Sequence, residues 1–319
     1  MACHVEDFDL ASTDNLAGKY FMHPHAFAPN RCAVVQLPQH STFQEAIGSR
    51  RRNAALVFIS LWAFAAGARE TETPAAPPPS PQELAEEKHN PFADQVTVPF
   101  QFSTSLDVGP GNGTAAGLNL QPAMPVTLGH DWEMILRPSF SLLDSEERKL
   151  GLGDIELQTY LSPGFVKNWV WGFGPVLDAP TATEPALGTG KWSAGPAFGL
   201  IYMNGPWVNG ILANHIWSFA GDSARADVSQ TTLEPVASYN FESGWFVAFD
   251  STMTADWNAP AGRRWTIPVG LDAGKAFQIG KRSLSLQFGT YYNIERAEGA
   301  ARWLLRFQVS FIFPKHAAT

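Results

Sequence analysis

From Gln95 onward the chain consists of short stretches in which apolar and polar residues alternate, separated by Gly, Pro, Asn and Asp. Alternation with a period of two is typical of β-strands that have one apolar and one polar face, and no amphipathic helix pattern of useful length occurs here. We count twelve such stretches, at 95–107, 118–128, 131–142, 151–161, 168–178, 192–204, 207–218, 229–241, 245–257, 264–277, 282–294 and 303–314. An even number of antiparallel strands is what a bacterial single-chain membrane barrel requires.

The connections between these stretches alternate in length. The odd connections are long, as in DVGPGNGTAAG and DAPTATEPALGTGK, whereas the even ones are short, as in LGHD and NGP. Outer-membrane barrels have short turns on the periplasmic side and long loops outside. The pattern therefore predicts an all-β antiparallel transmembrane barrel over 95–319 with both termini facing the periplasm. A soluble β-sandwich would show similar alternation within each strand but has no reason to alternate its loop lengths.

Tryptophan residues concentrate at the ends of the predicted strands. Amphipathic rings collect at the two headgroup levels of a membrane, so this distribution predicts two aromatic girdles. The predicted membrane-interface girdle consists of Trp132, Trp169, Trp207 and Trp245 beside the short turns and Trp192, Trp217, Trp257, Trp265 and Trp303 beside the long loops. The alternative is that these rings pack a soluble β-core.

Charged residues on the polar faces of the strands are predicted to point into the lumen. The candidate lumen-lining residues are Arg137, Asp154, Glu156, Asp250, Asp256, Asp272, Glu295 and Arg306. Inward charges in a small barrel can pair with one another and fill it. Alternatively, they line a water-filled path in which the excess of carboxylates repels anions and favours neutral or cationic solutes.

The N-terminal part of the chain has the layout of an export signal followed by a linker. An apolar run at 54–66 follows Arg50, Arg51 and Arg52 and precedes the small-residue site at 66–68. The run is too short for a transmembrane helix, so we predict a cleaved signal peptide at 50–68, preceded by a mis-called extension at 1–49.

Residues 69–94 are predicted to be a Pro-rich, disordered leader in which 69–83 forms neither helix nor sheet. A short helix is expected near Leu84–Lys88, which either plugs the periplasmic mouth or remains part of the linker. Both cysteines, Cys3 and Cys32, precede the cleavage site, so the exported chain has no thiol.

Composition excludes several classes of protein. A net charge of −8 disfavours a nucleic-acid partner, two cysteines cannot form a disulfide scaffold, and 12% aromatic residues argue against global disorder. His89 and His130 have no neighbouring residues that suggest a metal site, and no cofactor is predicted.

The segment at 169–222 resembles an outer-membrane barrel family described as putative MetA-pathway of phenol degradation. The likeness continues in NPFADQVTVPFQ, LNLQPAMPV, GLGDI, RWTIPVG and RFQVSFIFP, and so spans nearly all of 90–314. Members of this family are often described as transporters. The resemblance implies a porin-like barrel that passes small hydrophobic or aromatic compounds.

We therefore expect an outer-membrane channel for passive or facilitated uptake of small solutes, hydrophobic or aromatic ones among them. The expected partners are the lipid bilayer with its lipopolysaccharide, the barrel-assembly machinery and the solute, in the bacterial outer membrane. One alternative is a structural or adhesive barrel with a closed lumen. Another is a hydrolase built on Asn214, His215 and Ser218, but positions 215 and 218 point to opposite faces of a strand, so we expect no enzyme.

Overall fold

The computed structural model describes residues 79–129, 131–144, 150–280 and 282–314. The predicted extension at 1–49 and the predicted signal peptide at 50–68 lie outside the described residues. Among the described residues, no helix is long and apolar enough to span a membrane.

The described part of the leader begins with a helix, α1, at Pro81–Lys88. Ser80 caps it, because its hydroxyl accepts a hydrogen bond from the Glu83 N–H while the Glu83 carboxylate accepts one from the Ser80 N–H. The expectation of a helix-free linker up to Glu83 is thus corrected. The physical reason is that proline is well tolerated at the first helical position, where its missing N–H would have no partner in the helix.

Twelve strands follow, three of them interrupted. They are β1 (Gln95–Val108), β2 (Gly113–Leu120 and Met124–Thr127), β3 (Glu133–Asp144), β4 (Leu150–Leu152, Ile155–Ser162 and Phe165–Val166), β5 (Trp169–Ala179), β6 (Lys191–Asn204), β7 (Trp207–Gly221), β8 (Ser229–Asn240), β9 (Trp245–Asp250 and Met253–Asp256), β10 (Trp265–Ile279), β11 (Arg282–Glu295) and β12 (Trp303–Pro314).

Every strand pairs antiparallel with its neighbours along the chain, and β12 pairs with β1 from Gln95↔Pro314 to Leu106↔Trp303. The sheet therefore closes on itself, which removes the unpaired edges that hydrocarbon does not tolerate. The prediction of a twelve-stranded antiparallel barrel is confirmed.

The two ends of the barrel carry different connections. One end, the turn end, has the tight turns at 167–168, 205–206 and 241–244, and the other, the loop end, has the connections at 180–190, 222–228, 257–264 and 296–302. The first loop-end connection is shorter than predicted, because β2 already begins at Gly113. Asp107, Gly109 and Asn112 adopt positive φ values, and this allows the chain to reverse tightly between β1 and β2.

The strands present apolar side chains outward and polar side chains to the lumen. On β11, Phe288 is 56% exposed while Gln287 is 2% exposed, and on β12, Phe307 is 43% exposed while Arg306 is 5% exposed. Large apolar residues on the outside of a closed barrel are in contact with lipid, so the barrel contacts a bilayer.

Candidate functional site

The leader enters the lumen at the turn end and packs against one wall. Leu84 and Ala85 of α1 are buried in a cluster with Phe246 on β9, Ala276 on β10 and Ile312 on β12. Leu84 and Ala85 are the buried apolar residues of this otherwise polar helix. Burial of these side chains holds the helix against β9–β12.

Phe92, just after α1, packs against the opposite wall. Its ring makes an edge contact with Tyr160 on β4, with ring centroids 5.5 Å apart. Gly172 on β5 and Gly199 on β6 pair in register, and a Cβ at either would lie only 2.5 or 2.6 Å from the Phe92 ring. The two glycines thus form a notch that fits this ring. The leader therefore crosses the lumen from wall to wall, and we call residues 79–94 the plug.

Lys88 is the last residue of α1 and His89 is its C-cap, and both lie inside the barrel. The Lys88 Nζ donates a hydrogen bond to Gln287 Oε1 on β11 and lies 4.9 Å from the centre of the Phe246 ring. Burial lowers the pKa of Lys88 to about 8, against the opposing effect of the Asp250 and Asp272 carboxylates. Burial and the neighbouring Lys88 lower the pKa of His89 to about 3, so this imidazole is neutral at physiological pH.

A cavity of about 160 Å³, which we call the chamber, lies in the lumen on the loop-end side of the plug. The plug contributes its floor through Lys88, His89, Asn90, Pro91 and Ala93. The walls are Gln95, Thr97, Pro99, Gln101, Asn119, Gln121, Ala123, Arg137, Leu212, Glu234, Val236, Asp250, Thr252, Arg306, Gln308 and Ser310. The lining therefore combines amides, both signs of charge and a few apolar groups.

An ion pair spans the lumen at the chamber. The Arg137 guanidinium on β3 lies 3.2 Å from the Glu234 carboxylate on β8, five strands further around the ring. The same guanidinium donates to Gln158 Oε1 at 2.9 Å, and the Tyr160 hydroxyl also donates to that oxygen at 3.0 Å. Both charged side chains are largely buried, so a partner for each is required for stability.

A second cluster surrounds Arg306 on β12. Its guanidinium pairs with the fully buried Asp272 carboxylate on β10, and lies 3.9 Å from the Asp250 carboxylate on β9. The Tyr291 hydroxyl on β11 hydrogen-bonds to Asp272 and accepts from Arg306 at 2.8 Å. The structure thus brings together three of the predicted lumen residues, Asp250, Asp272 and Arg306.

The other predicted lumen residues lie elsewhere. Glu156 faces the lumen and accepts a hydrogen bond from Gln158 Nε2 at 2.8 Å. Asp154 accepts hydrogen bonds from the Ala182 N–H and the Thr189 hydroxyl, and so fastens the 180–190 loop. Asp256 and Glu295 are exposed at the loop end of their strands.

A second cavity, of about 510 Å³, lies at the loop end beside β1, β2 and β3. Small residues that pair in register, Ser103 with Gly117 and Ser105 with Ala115, form part of its wall. Leu187 of the 180–190 loop lines it as well, and this loop is also held by Arg225, whose Nε donates to the Thr189 carbonyl at 3.1 Å.

The predicted girdle residues occupy both ends of the barrel. Eight of the nine side chains are between 40% exposed, as in Trp132 and Trp192, and 53% exposed, as in Trp245. The ninth, Trp265, is half-buried. Trp265 contacts Trp257 with ring centroids 6.3 Å apart, and the Trp257 indole donates to the Thr231 hydroxyl at 2.8 Å.

The residues of the hydrolase alternative do not come together. Asn214 is buried on the lumen side, His215 Nδ1 lies 2.7 Å from the Thr231 hydroxyl, and the Ser218 hydroxyl accepts from the Val228 N–H at 2.9 Å. In the described ranges, no group of three or more His, Cys, Asp or Glu side chains could hold a metal ion.

Sequence reasoning missed Glu234, Tyr291 and Phe92. Glu234 could have been found, because it shares the period-two face of Thr232 and Ser238 on β8, both of which are buried. Tyr291 carries the same signal, because it shares the period-two face of Ser285 and Gln287 on β11, both of which are buried. The position of Phe92 could not be predicted, because its ring fits a notch formed by glycines of two other strands.

The fold resembles solved outer-membrane structures at low sequence identity. These include the outer membrane phospholipase of Salmonella typhi (TM-score 0.40, 13% identity, 73% of this chain and 97% of that chain). They also include the CymD monoaromatic hydrocarbon channel (TM-score 0.38, 7% identity, 74% of this chain and 91% of that chain). Both similarities concern barrel architecture alone.

Comparison with curated proteins gives no match. Residues 95–307, two thirds of the chain, match the family described as Putative MetA-pathway of phenol degradation. The matched range runs from the first residue of β1 into β12 and so covers almost the whole barrel. This protein therefore belongs to the family described as Putative MetA-pathway of phenol degradation.

Proposed function

We propose that the protein is a channel of the bilayer for small solutes, and that the plug closes the axial path through its lumen. The chamber is the observation that carries this proposal: the lumen is not filled by its own side chains but retains a polar space above the plug. A barrel that served only as a scaffold would have no need for such a space. The barrel fold and the family are consistent with the bacterial outer membrane.

The size and lining of the chamber favour a neutral solute of about one aromatic ring. A cavity of about 150 Å³ is large enough to hold benzene, and the chamber measures about 160 Å³. Lys88, Arg137 and Arg306 line it together with Glu234 and Asp250, so neither sign of charge dominates. Amide groups such as Gln101 and Asn119 could bind a hydroxyl substituent. The family description, which refers to phenol degradation, supports the same class of solute.

Uptake by cells tests this proposal. In porin-deficient Gram-negative cells, whose lipopolysaccharide leaflet slows apolar solutes, we expect expression of the full chain to accelerate entry of radiolabelled phenol. A matched variant, Gln101→Leu with Asn119→Leu, should bind phenol more weakly and take it up more slowly. Entry no faster than in cells with an empty vector would contradict the channel.

A structural barrel with a closed lumen is the second candidate, and the tightly packed plug favours it. The same uptake assay separates the two, because a permanently closed barrel accelerates no solute.

We also propose that the protein is not an enzyme, since the Ser218 hydroxyl and the His215 imidazole have other hydrogen-bonding partners. Release of fatty acid or of an ester product by the purified protein would contradict this.

We further propose that lipopolysaccharide contacts the loop-end girdle and that the barrel-assembly machinery inserts the protein. The alternating aromatic face of β12, with Phe307, Phe311 and Phe313, is the feature that supports the second point. Co-purification of lipopolysaccharide and loss of insertion after depletion of the assembly machinery would test them.

A further inference from the structure

The hydrogen-bonded ladder between β9 and β10 is parted in its middle. Pairing stops at Ala248↔Asp272 and resumes at Thr254↔Thr266 with the same register. Residues 249–253 and 267–271 therefore face each other without forming ladder pairs, and we call this region the seam. Because the register is unchanged, the seam is a local separation of two strands and not a bulge.

Side chains bridge the seam where the ladder is missing. The Tyr291 hydroxyl accepts a hydrogen bond from the Asp250 N–H at 3.3 Å and lies 3.0 Å from the Asp250 carbonyl oxygen. Arg306 Nη2 donates to the same carbonyl oxygen at 2.6 Å. The Ser251 hydroxyl donates to the Pro268 carbonyl at 2.8 Å. These bonds satisfy backbone groups that hydrocarbon could not solvate.

The seam differs from the shorter interruption between β2 and β3. There, residues 121–123 do not pair with β3, but Ala123 forms a two-bond bridge to Thr97 on β1. At that place the β1–β2 ladder continues beside the gap, because Thr97↔Ala123 keeps the register of Phe100↔Leu120. At the seam, side-chain bonds satisfy the backbone groups of Asp250 and Pro268, and rotation about side-chain torsions can break these bonds without unravelling a strand.

The seam connects the chamber with the lipid face. Asp250, Thr252 and Arg306 line the chamber, while Val269 and Leu271 beside the seam are 43% and 59% exposed on the outer surface. Tyr291, at 1% exposure, hydrogen-bonds to Asp250 on one side of the seam and to Asp272 on the strand opposite. Residues that line the chamber and residues that face lipid therefore meet at the seam, whereas the plug blocks the way from the chamber to the turn end.

We propose that the seam is an exit through which a neutral, ring-sized solute leaves the chamber for the bilayer when Tyr291 swings aside. This inference rests on the proposed channel function and adds the route and the solute class. A charged solute could not use this route, because it would have to enter hydrocarbon without its water. The plug then stays in place during transfer, so that the axial path for ions remains closed.

Disulfide staples across β9 and β10 test the route. The described residues contain no cysteine, and Cys3 and Cys32 precede the predicted cleavage site, so the introduced pairs are the only ones in the barrel. The test variant carries Ser251→Cys and Val269→Cys. These positions face each other across the seam, because the register of β9 and β10 is the same on both sides of it. The matched control carries Val247→Cys and Ala273→Cys, a pair that already belongs to the ladder. Phenol uptake is measured in porin-deficient cells before and after oxidation, and again after reduction.

We expect oxidation to abolish uptake through the seam-stapled protein, reduction to restore it, and the control staple to have no effect. Undiminished uptake through the oxidised seam variant would overturn the seam route while leaving the channel intact. Absence of uptake through the unmodified protein would instead overturn the channel, and the route with it. Heat-modifiable migration on gels confirms that each variant is a folded barrel.

A second variant tests the seam without a staple. Tyr291→Phe keeps the ring but removes the hydroxyl that bonds to Asp250, and loss of such a bond should speed uptake about two- to tenfold. Unchanged or slower uptake in a folded Tyr291→Phe barrel would count against the route.

Discussion

The two ends of the lumen are closed to different degrees. At the turn end, the plug packs apolar side chains such as Leu84 and Phe92 against opposite walls. At the loop end, small residues such as Ser103 and Ala115 leave a cavity, and polar bonds from Asp154 and Arg225 hold the overlying loop. The tight closure thus comes from a segment outside the barrel strands, which means that barrel and closure can be altered independently.

Deletion of the plug gives the largest expected effect. Removing residues 79–93 takes away the floor of the chamber, so single-channel currents should appear in planar bilayers where the full chain shows rare ones or none. The matched control deletes 182–187 in the loop over the other end, which should leave currents rare. A plug deletion that folds but does not conduct would show that closure resides in the barrel itself.

The second prediction compares a buried ion pair in the lumen with an exposed one at the loop end. Arg306→Met leaves the Asp272 carboxylate buried without its partner and should lower the free energy of unfolding by about 3–5 kcal/mol. Arg263→Met breaks an exposed pair with Glu298, 2.6 Å long, and should cost about 0–1 kcal/mol. Urea unfolding in detergent micelles, followed by tryptophan fluorescence, measures both. Equal losses would mean that lumen and rim charges are equally solvated.

The barrel could be predicted from the sequence because its determinants are local. Alternation along each strand is imposed by lipid on one side and the lumen on the other, and strand ends are marked by turn residues and tryptophans. For β7 and β11 the predicted first residues, Trp207 and Arg282, are those of the observed strands. The capping box at Ser80 and Glu83 was also present in the sequence and would have placed the start of α1.

The arrangement inside the lumen could not be predicted in the same way. Arg137 meets Glu234 because β3 and β8 face each other across a closed ring, and no local pattern shows which strands face each other. The notch for Phe92 requires Gly172 and Gly199 to align in register. Asp154 illustrates the converse, since its alternating position suggested the lumen while its carboxylate fastens a loop.

The third prediction compares one leucine from each end. Leu84→Ala removes a side chain that is 1% exposed between α1 and the wall, and should weaken seating of the plug by about 2–5 kcal/mol. Openings in planar bilayers should then become much more frequent. Leu187→Ala in the half-exposed loop is the matched control and should change opening little. Similar opening by both variants would mean that the loop end contributes as much to closure as the plug.

The smallest expected effect is a pH dependence confined to the plug. The pKa of Lys88 is lowered to about 8 when the plug is seated, and it returns to the ordinary value of 10.5 when the plug is released. Lys88 therefore binds its proton more weakly when the plug is seated. Below about pH 8 the cost of burying the charge is present in full, and it disappears as the pH rises toward 10.5, so seating should tighten and openings become rarer over that interval. Lys88→Met should open equally often at both ends of the interval. If openings of the unmodified protein became more frequent as the pH rises, the Lys88 charge would stabilise the seated plug. The turn end would then be closed by ion pairing of Lys88 with Asp250 and Asp272 and not by apolar packing.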